Sequence, residues 1–152
     1  MKKFLKHIIL LFAIFCTLIP AYADDKEKLW DDLQERAIDE YQRKEHEEAV
    51  RTQAKALKLA EEIFGPEDLK VAESLDNLAI YSQSIGDYAG AEKFYERALA
   101  IMEKKLPPSD HYLAIFSEYV AEFYARIGKK DKEKELRERA KKIRASEAQR
   151  LE

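Results

Sequence analysis

Leu75–Leu99 reads LDNLAIYSQSIGDYAGAEKFYERAL, and its spacing decides the fold. Leu75, Leu78, Ala79 and Ser82 recur at helical offsets, so they share one face of a helix that has to be covered. After Ile85-Gly86-Asp87 the spacing resumes with Tyr88, Ala91, Tyr95, Ala98 and Leu99, which predicts a second amphipathic helix. Gly86 can take the positive φ that closes the first helix, and the Asp87 carboxylate can accept from the free N–H groups of the second. A short turn folds the two back antiparallel. Ala79, Ala91 and Ala98 stand where the axes would cross, because larger side chains would force them beyond the roughly 8–10 Å of helix contact.

The unit repeats. Ala37, Ala79 and Ala121 stand 42 residues apart, as do Ala56, Ala98 and Ala140, and Leu59, Ile101 and Ile143. The same step relates Leu33 to Leu75, Ala49 to Ala91, Pro66 to Pro108, Asp68 to Asp110, Ala72 to Ala114 and Gly86 to Gly128. Amphipathicity alone does not reproduce turn residues at a fixed offset, so the chain reads as three copies of one helical pair, over about 26–64, 67–106 and 109–145.

Leu75, Leu78, Ala79, Gly86, Tyr88, Ala91, Tyr95, Ala98 and Leu99 fall on the signature positions of the tetratricopeptide repeat family. The chain resembles the longer, kinesin-light-chain-like variety of that repeat, whose period exceeds the usual roughly 34 residues by about two helical turns. One departure is visible: the first-helix tyrosine is Tyr81, with Ser82 at the usual place. The resemblance implies an all-α fold, three helix-turn-helix pairs stacked into a right-handed superhelix. In the first copy Lys44 replaces the turn glycine and Gln53 the large aromatic. In the third, Glu133 and Arg137 replace Ala91 and Tyr95, as suits a terminal helix with one face in water. Ser109 or Asp110 is expected to cap that copy, Pro66 to sit in the first turn of the second, and residues 146–152 to fray.

Residues 1–23 carry Lys2, Lys3 and Lys6, an apolar run from Ile8 to Ile19, and Ala21-Tyr22-Ala23, which predicts a secretory signal cut before Asp24. The run is shorter than the roughly 20 residues of a membrane span, and Ile14-Phe15 do not suit a lipoprotein site at Cys16. Cleavage would move the formal charge from −3 to −6, remove the only cysteine and leave 129 residues, destined for the periplasm or the exterior of a bacterial cell. That negative balance argues against nucleic acid as a partner.

Chemistry lacks its usual parts. His46 and His111 stand at turns, in no HExxH or Glu-x-x-His pattern, and read as solvated residues; no glycine-rich phosphate loop is present. No catalytic residue, metal site or cofactor is expected, and an enzyme or metal carrier is the weakest of three function classes. Tyr81, Tyr88 and Tyr95 read as packing residues with hydroxyls at the edge. The resemblance implies a concave groove lined by the first helix of each pair: Gln34, Glu35, Ile38, Tyr41 and Gln42; Glu73, Asp76, Asn77, Ile80 and Gln83; Glu118, Tyr119, Glu122 and Arg126. Asn77 is the amide placed to bond an extended backbone. Gln34, Asp76 and Glu118 occupy the cationic positions of the family's carboxylate clamp, so a basic or neutral protein segment is the expected partner. The alternative is a homo-oligomer stacked through its end faces.

Overall fold

A computed structural model of the protein describes residues 25–150, all of its regular structure helical. The expected signal sequence lies outside the described residues. Helix α1 covers residues 25–42, followed by α2 (His46–Phe64), α3 (Leu69–Ser84), α4 (Tyr88–Lys105), α5 (His111–Arg126) and α6 (Lys130–Arg150). They form three hairpins stacked in chain order, with α3 on α4, α5 on α6, and α2 and α4 meeting the first helix of the next pair.

The turns explain the stack. Gly86 closes α3 at φ 80°; its N–H donates to Gln83 O and that of Asp87 reaches back to Ser82 O, the paired bonds of a left-handed helix stop. Gly128 repeats the arrangement at φ 76° and Lys44 at φ 65°, the only non-glycine residue with positive φ among the described residues. Asp68, Asp87 and Asp110 each cap the next helix, accepting from the N–H groups of Lys70, Gly90 and Tyr112 at 2.9 Å. The third cap is therefore Asp110. Pro66 lies ahead of the α3 cap, not in its first turn, because Asp68 sets the helix start.

Ala37, Ala79 and Ala121, with Ala49, Ala91, Ala56, Ala98 and Ala140, are fully buried, so the helices nest at the positions the repeat requires. The junctions between pairs differ. At the second, the Tyr95 ring packs against Phe116, Tyr119 and Phe123 with centroids 6.3, 5.8 and 5.1 Å away. At the first, Gln53 takes that place and donates from Nε2 to Ser74 O at 3.0 Å, while Trp30 Nε1 donates to Ser74 Oγ at 3.1 Å. Ion pairs recur in register along the second helices: Glu61 with Arg97, and 42 residues on, Glu103 with Arg139.

Helix α6 buries Leu136, Ala140 and Ile143 and turns Glu133 and Arg137 outward, paired with each other at 3.0 Å. Lys129 and Lys132 bind its start to Glu92 of α4 at 2.5 and 3.2 Å. The helix runs on to Arg150, with Glu147 Oε2 3.1 Å from His111 Nδ1. No helix among the described residues is long and apolar enough to cross a membrane.

Candidate functional site

On a helix of this stack, residues three, four and seven apart share a stripe, so Tyr41, Ile80 and Tyr119 carry their neighbours onto one wall. An open hollow of about 990 Å³ is lined there by Tyr41, Ile80, Gln83, Tyr119, Glu122 and Arg126, together with Ser84, Tyr88, Ala125 and Ile127. Six of the groove residues expected from sequence thus meet in one place, drawn from the first helices of all three pairs.

A hydrogen-bonded chain fixes the wall. Arg126 donates to Gln83 Oε1 at 2.9 Å, Gln83 Nε2 donates to Tyr95 Oη at 2.6 Å, and the Tyr95 hydroxyl donates to Tyr119 Oη at 3.3 Å. The chain runs from an exposed guanidinium to a fully buried ring, so the orientation of the rim is coupled to the core of the second junction. Burial, reinforced by the bond to Tyr119, holds the Tyr95 hydroxyl well above the usual phenol range, and burial raises Tyr119 too. Both remain neutral donors and acceptors at any physiological pH. Tyr41 stacks on Tyr81 at 4.8 Å with an interplanar angle of 29°, and burial, ahead of Tyr41 and Asp76, pushes the Tyr81 hydroxyl to about 12.

The remaining expected residues are placed differently. Glu73, Asp76 and Asn77 continue the α3 stripe beyond the hollow; Asn77 spends its amide on no partner among the described residues. Glu35 and Ile38 are exposed on α1 outside the hollow, as is Gln42. Gln34 is not an exposed lining residue: it is buried on α1. Glu118 is not free either, since Arg144 of α6 reaches it at 2.6 Å in the pair that has no following neighbour.

Tyr88 is a correction to the packing reading. It stands at the start of α4, half exposed, and lines the hollow, whereas Tyr81 and Tyr95 are buried. His46 also departs from expectation, its ring lying 5.2 Å from that of Tyr41 with Nδ1 buried; His111 is exposed as a turn residue would be. The Tyr95 hydroxyl is the contribution that sequence reasoning missed on the wall. Its position two turns into α4, opposite Gln83 in the preceding helix, was the available signal.

No cluster of three or more metal-ligating side chains occurs among the described residues. What the wall offers is shape, aromatic surface and an acid-rich stripe, the features of a surface that holds another chain.

Residues 32–104, just under half of the chain, match the tetratricopeptide repeat family model, and the described helices have the stacked fold of such repeats. In fold it is similar to BtubC (BKLC) from P. vanneervenii, with 26% identity and a TM-score of 0.70 over 78% of this chain and 48% of that one. It is also similar to the nearly identical TPR-like repeats of a kinesin light chain candidate from Podosopora anserina, at 23% identity and a TM-score of 0.66 over 76% of this chain and 55% of that one. The TPR domain of Arabidopsis FLU shares the fold at 21% identity and a TM-score of 0.58, over 83% of this chain and 97% of that domain. The chain spans about half the length of the first two. No curated protein matches it. Tetratricopeptide repeats are in general non-catalytic scaffolds, and the fold suggests a role in protein–protein interaction.

Proposed function

We propose that the protein is an exported adaptor that holds an extended or helical segment of another protein against its concave wall. The observation that carries this reading is the convergence of Tyr41, Ile80, Tyr88 and Tyr119 on one open hollow, with Glu122 at its edge and Glu73 and Asp76 along the same stripe. Apolar footholds give such a segment its affinity, and the acids select against acidic ones. Arg126 keeps its charge, because the Gln83 amide that accepts from it is neutral, and offsets Glu122 in the hollow, so the excess of acid comes from Glu73 and Asp76. Export rests on the signal pattern of residues 1–23; finding Asp24 at the amino terminus of protein recovered from cells would establish it, and finding Met1 there would refute it.

End-to-end self-assembly is the lesser reading. A copy stacked head to tail in register would set Ala145 against Lys55, where the internal junctions place Glu61 against Arg97 and Glu103 against Arg139. The recurring ion pair is thus missing at the ends.

The test is a panel of fluorescent peptides, lysine-containing, neutral and acidic, titrated into the full chain. Lysine-containing and neutral peptides are expected to bind, and Tyr119→Ala to weaken them at least tenfold, as loss of an aromatic anchor does. Preferential capture of the acidic peptides, or binding indifferent to Tyr119→Ala, would refute the assignment.

A further inference from the structure

Gln34 and Asp76 hold the same register position on α1 and α3, 42 residues apart. Gln34 is only 7% exposed, yet neither its Oε1 nor its Nε2 has a hydrogen-bond partner, and the Oδ1 of Asp76 is likewise buried and unpartnered. The third member of the row, Glu118, is satisfied by Arg144. Buried polar atoms left unpaired cost about 1–3 kcal/mol each, and native structures leave few of them without a reason. The two unsatisfied residues share the stripe of the hollow: Tyr41 lies seven residues beyond Gln34, and Ile80 and Gln83 four and seven beyond Asp76.

Resting on the concave-wall reading above, we infer that Asp76, with Gln34 one repeat before it, forms a proton-linked subsite for a lysine or arginine side chain of the bound segment. Asp76 accepts from the cation. Gln34 has both a donor and an acceptor for the polar groups beside it.

Glu73 is the charge that raises the Asp76 carboxyl, and the Asp76 charge in turn reaches neutral phenols: Tyr81 on α3, Tyr95 on α4, and Tyr112 and Tyr119 on α5; from α1, Asp31 acts on Glu73 and Tyr41 on Tyr81. Of the nearby cations, Lys70 pairs with Glu27 at 2.5 Å, while Arg126 donates to the neutral amide of Gln83 and is not ion-paired to Asp76. No ion pair compensates Asp76 among the described residues.

Burial, then repulsion from Glu73, raises the Asp76 carboxyl to about 6. A bound cation stabilises the carboxylate and pulls that value down, so binding below pH 6 must expel a proton. Affinity is therefore full above pH 7 and falls by about tenfold per pH unit well below 6.

The experiment titrates the full chain with a fluorescein-labelled AKAYAKA peptide and with its acetyl-lysine form, at pH 7.5 and 5.0. The lysine form is expected to bind about tenfold more weakly at pH 5.0. Asp76→Asn should bind it equally at both values, at the weaker level, and the acetyl-lysine form should be insensitive to pH and to the substitution. A pH dependence that survives Asp76→Asn, or equal binding of the two peptides, overturns the subsite. If the acetylated peptide still binds and Tyr119→Ala releases it, the wall keeps its function and only the subsite falls; if neither peptide binds, both fall.

Discussion

Lys44 is held in a backbone conformation that belongs to glycine, and replacing it should stabilise the protein. The 42-residue register aligns Lys44 with Gly86 and Gly128, and the three have φ of 65, 80 and 76°. A left-handed residue with a Cβ carries a penalty of about 1–2 kcal/mol. Glycine avoids it but brings an unfolded chain with more freedom to lose, about 0.4–1 kcal/mol in the opposite direction. The Lys44 side chain is exposed and makes no ion pair among the described residues, so its removal sacrifices no packing. The net for Lys44→Gly is a gain of about 1 kcal/mol, or about 3 °C in melting temperature for a domain of this size. Gly86→Ala is the mirror experiment: a Cβ there meets nothing within 4 Å, so the expected loss, again about 1 kcal/mol, is purely conformational. Urea denaturation followed by circular dichroism reads both, as shifts of the midpoint at constant slope. A lower midpoint for Lys44→Gly, or an unchanged one for Gly86→Ala, would show that the register argument misjudges this turn.

Three further substitutions or measurements probe the wall. Tyr95→Phe keeps the ring cluster but removes the hydroxyl that links Gln83 to Tyr119, and should cost about 1 kcal/mol in denaturant midpoint and loosen Arg126, visible as narrowed guanidinium resonances. For Asp76 the folded value of about 6 lies above the unfolded one, so its contribution to stability is present at low pH and lost as pH rises through 6. Asp76→Asn should accordingly stabilise the free protein by up to about 2 kcal/mol at pH 7.5, after allowance for partial exposure, and by nothing near pH 3.5; a destabilised variant at pH 7.5 would contradict this. Hydrogen exchange should be faster in α1 and α2 than in α4 and α5, since the first junction lacks the aromatic cluster of the second, and equal protection would mean the polar junction is as strong.

The repeat was legible because its residues answer to backbone geometry. Buried alanines, turn glycines and aspartate caps each have one physical task, and each recurs at 42 residues, so Ala79 or Gly86 could be placed from the sequence alone. The wall was legible only in part, because lining a stripe and being available on it are different things. Glu118 sits at the right register, but its availability depends on Arg144 of the packed α6, a position held by Met102 and Ala60 in the other copies. Gln34 sits at the same register and is buried. Tyr88 met the family pattern of a packing residue yet opens the second helix, where the turn carries it past the edge of the core. End effects and long side chains crossing between repeats leave no periodic trace.

The same register explains why an uncompensated acid can persist where it is. Asp76 and Glu73 weaken the middle of the stack at neutral pH, since burial raises both carboxyls, with repulsion from Glu73 added at Asp76 and from Asp31 at Glu73. That cost falls on α3, the helix with neighbours on both sides: Trp30, Gln53 and Tyr41 hold it from the first pair, and Tyr95 with its cluster from behind and beyond. In the third pair the equivalent acid, Glu118, is neutralised by Arg144, and the equivalent of Glu73 is Ile115, so neither burden is repeated. The acidic stripe is strongest where the scaffold is best able to hold it against its own repulsion, which is the placement expected of a surface kept for a cationic partner rather than for stability.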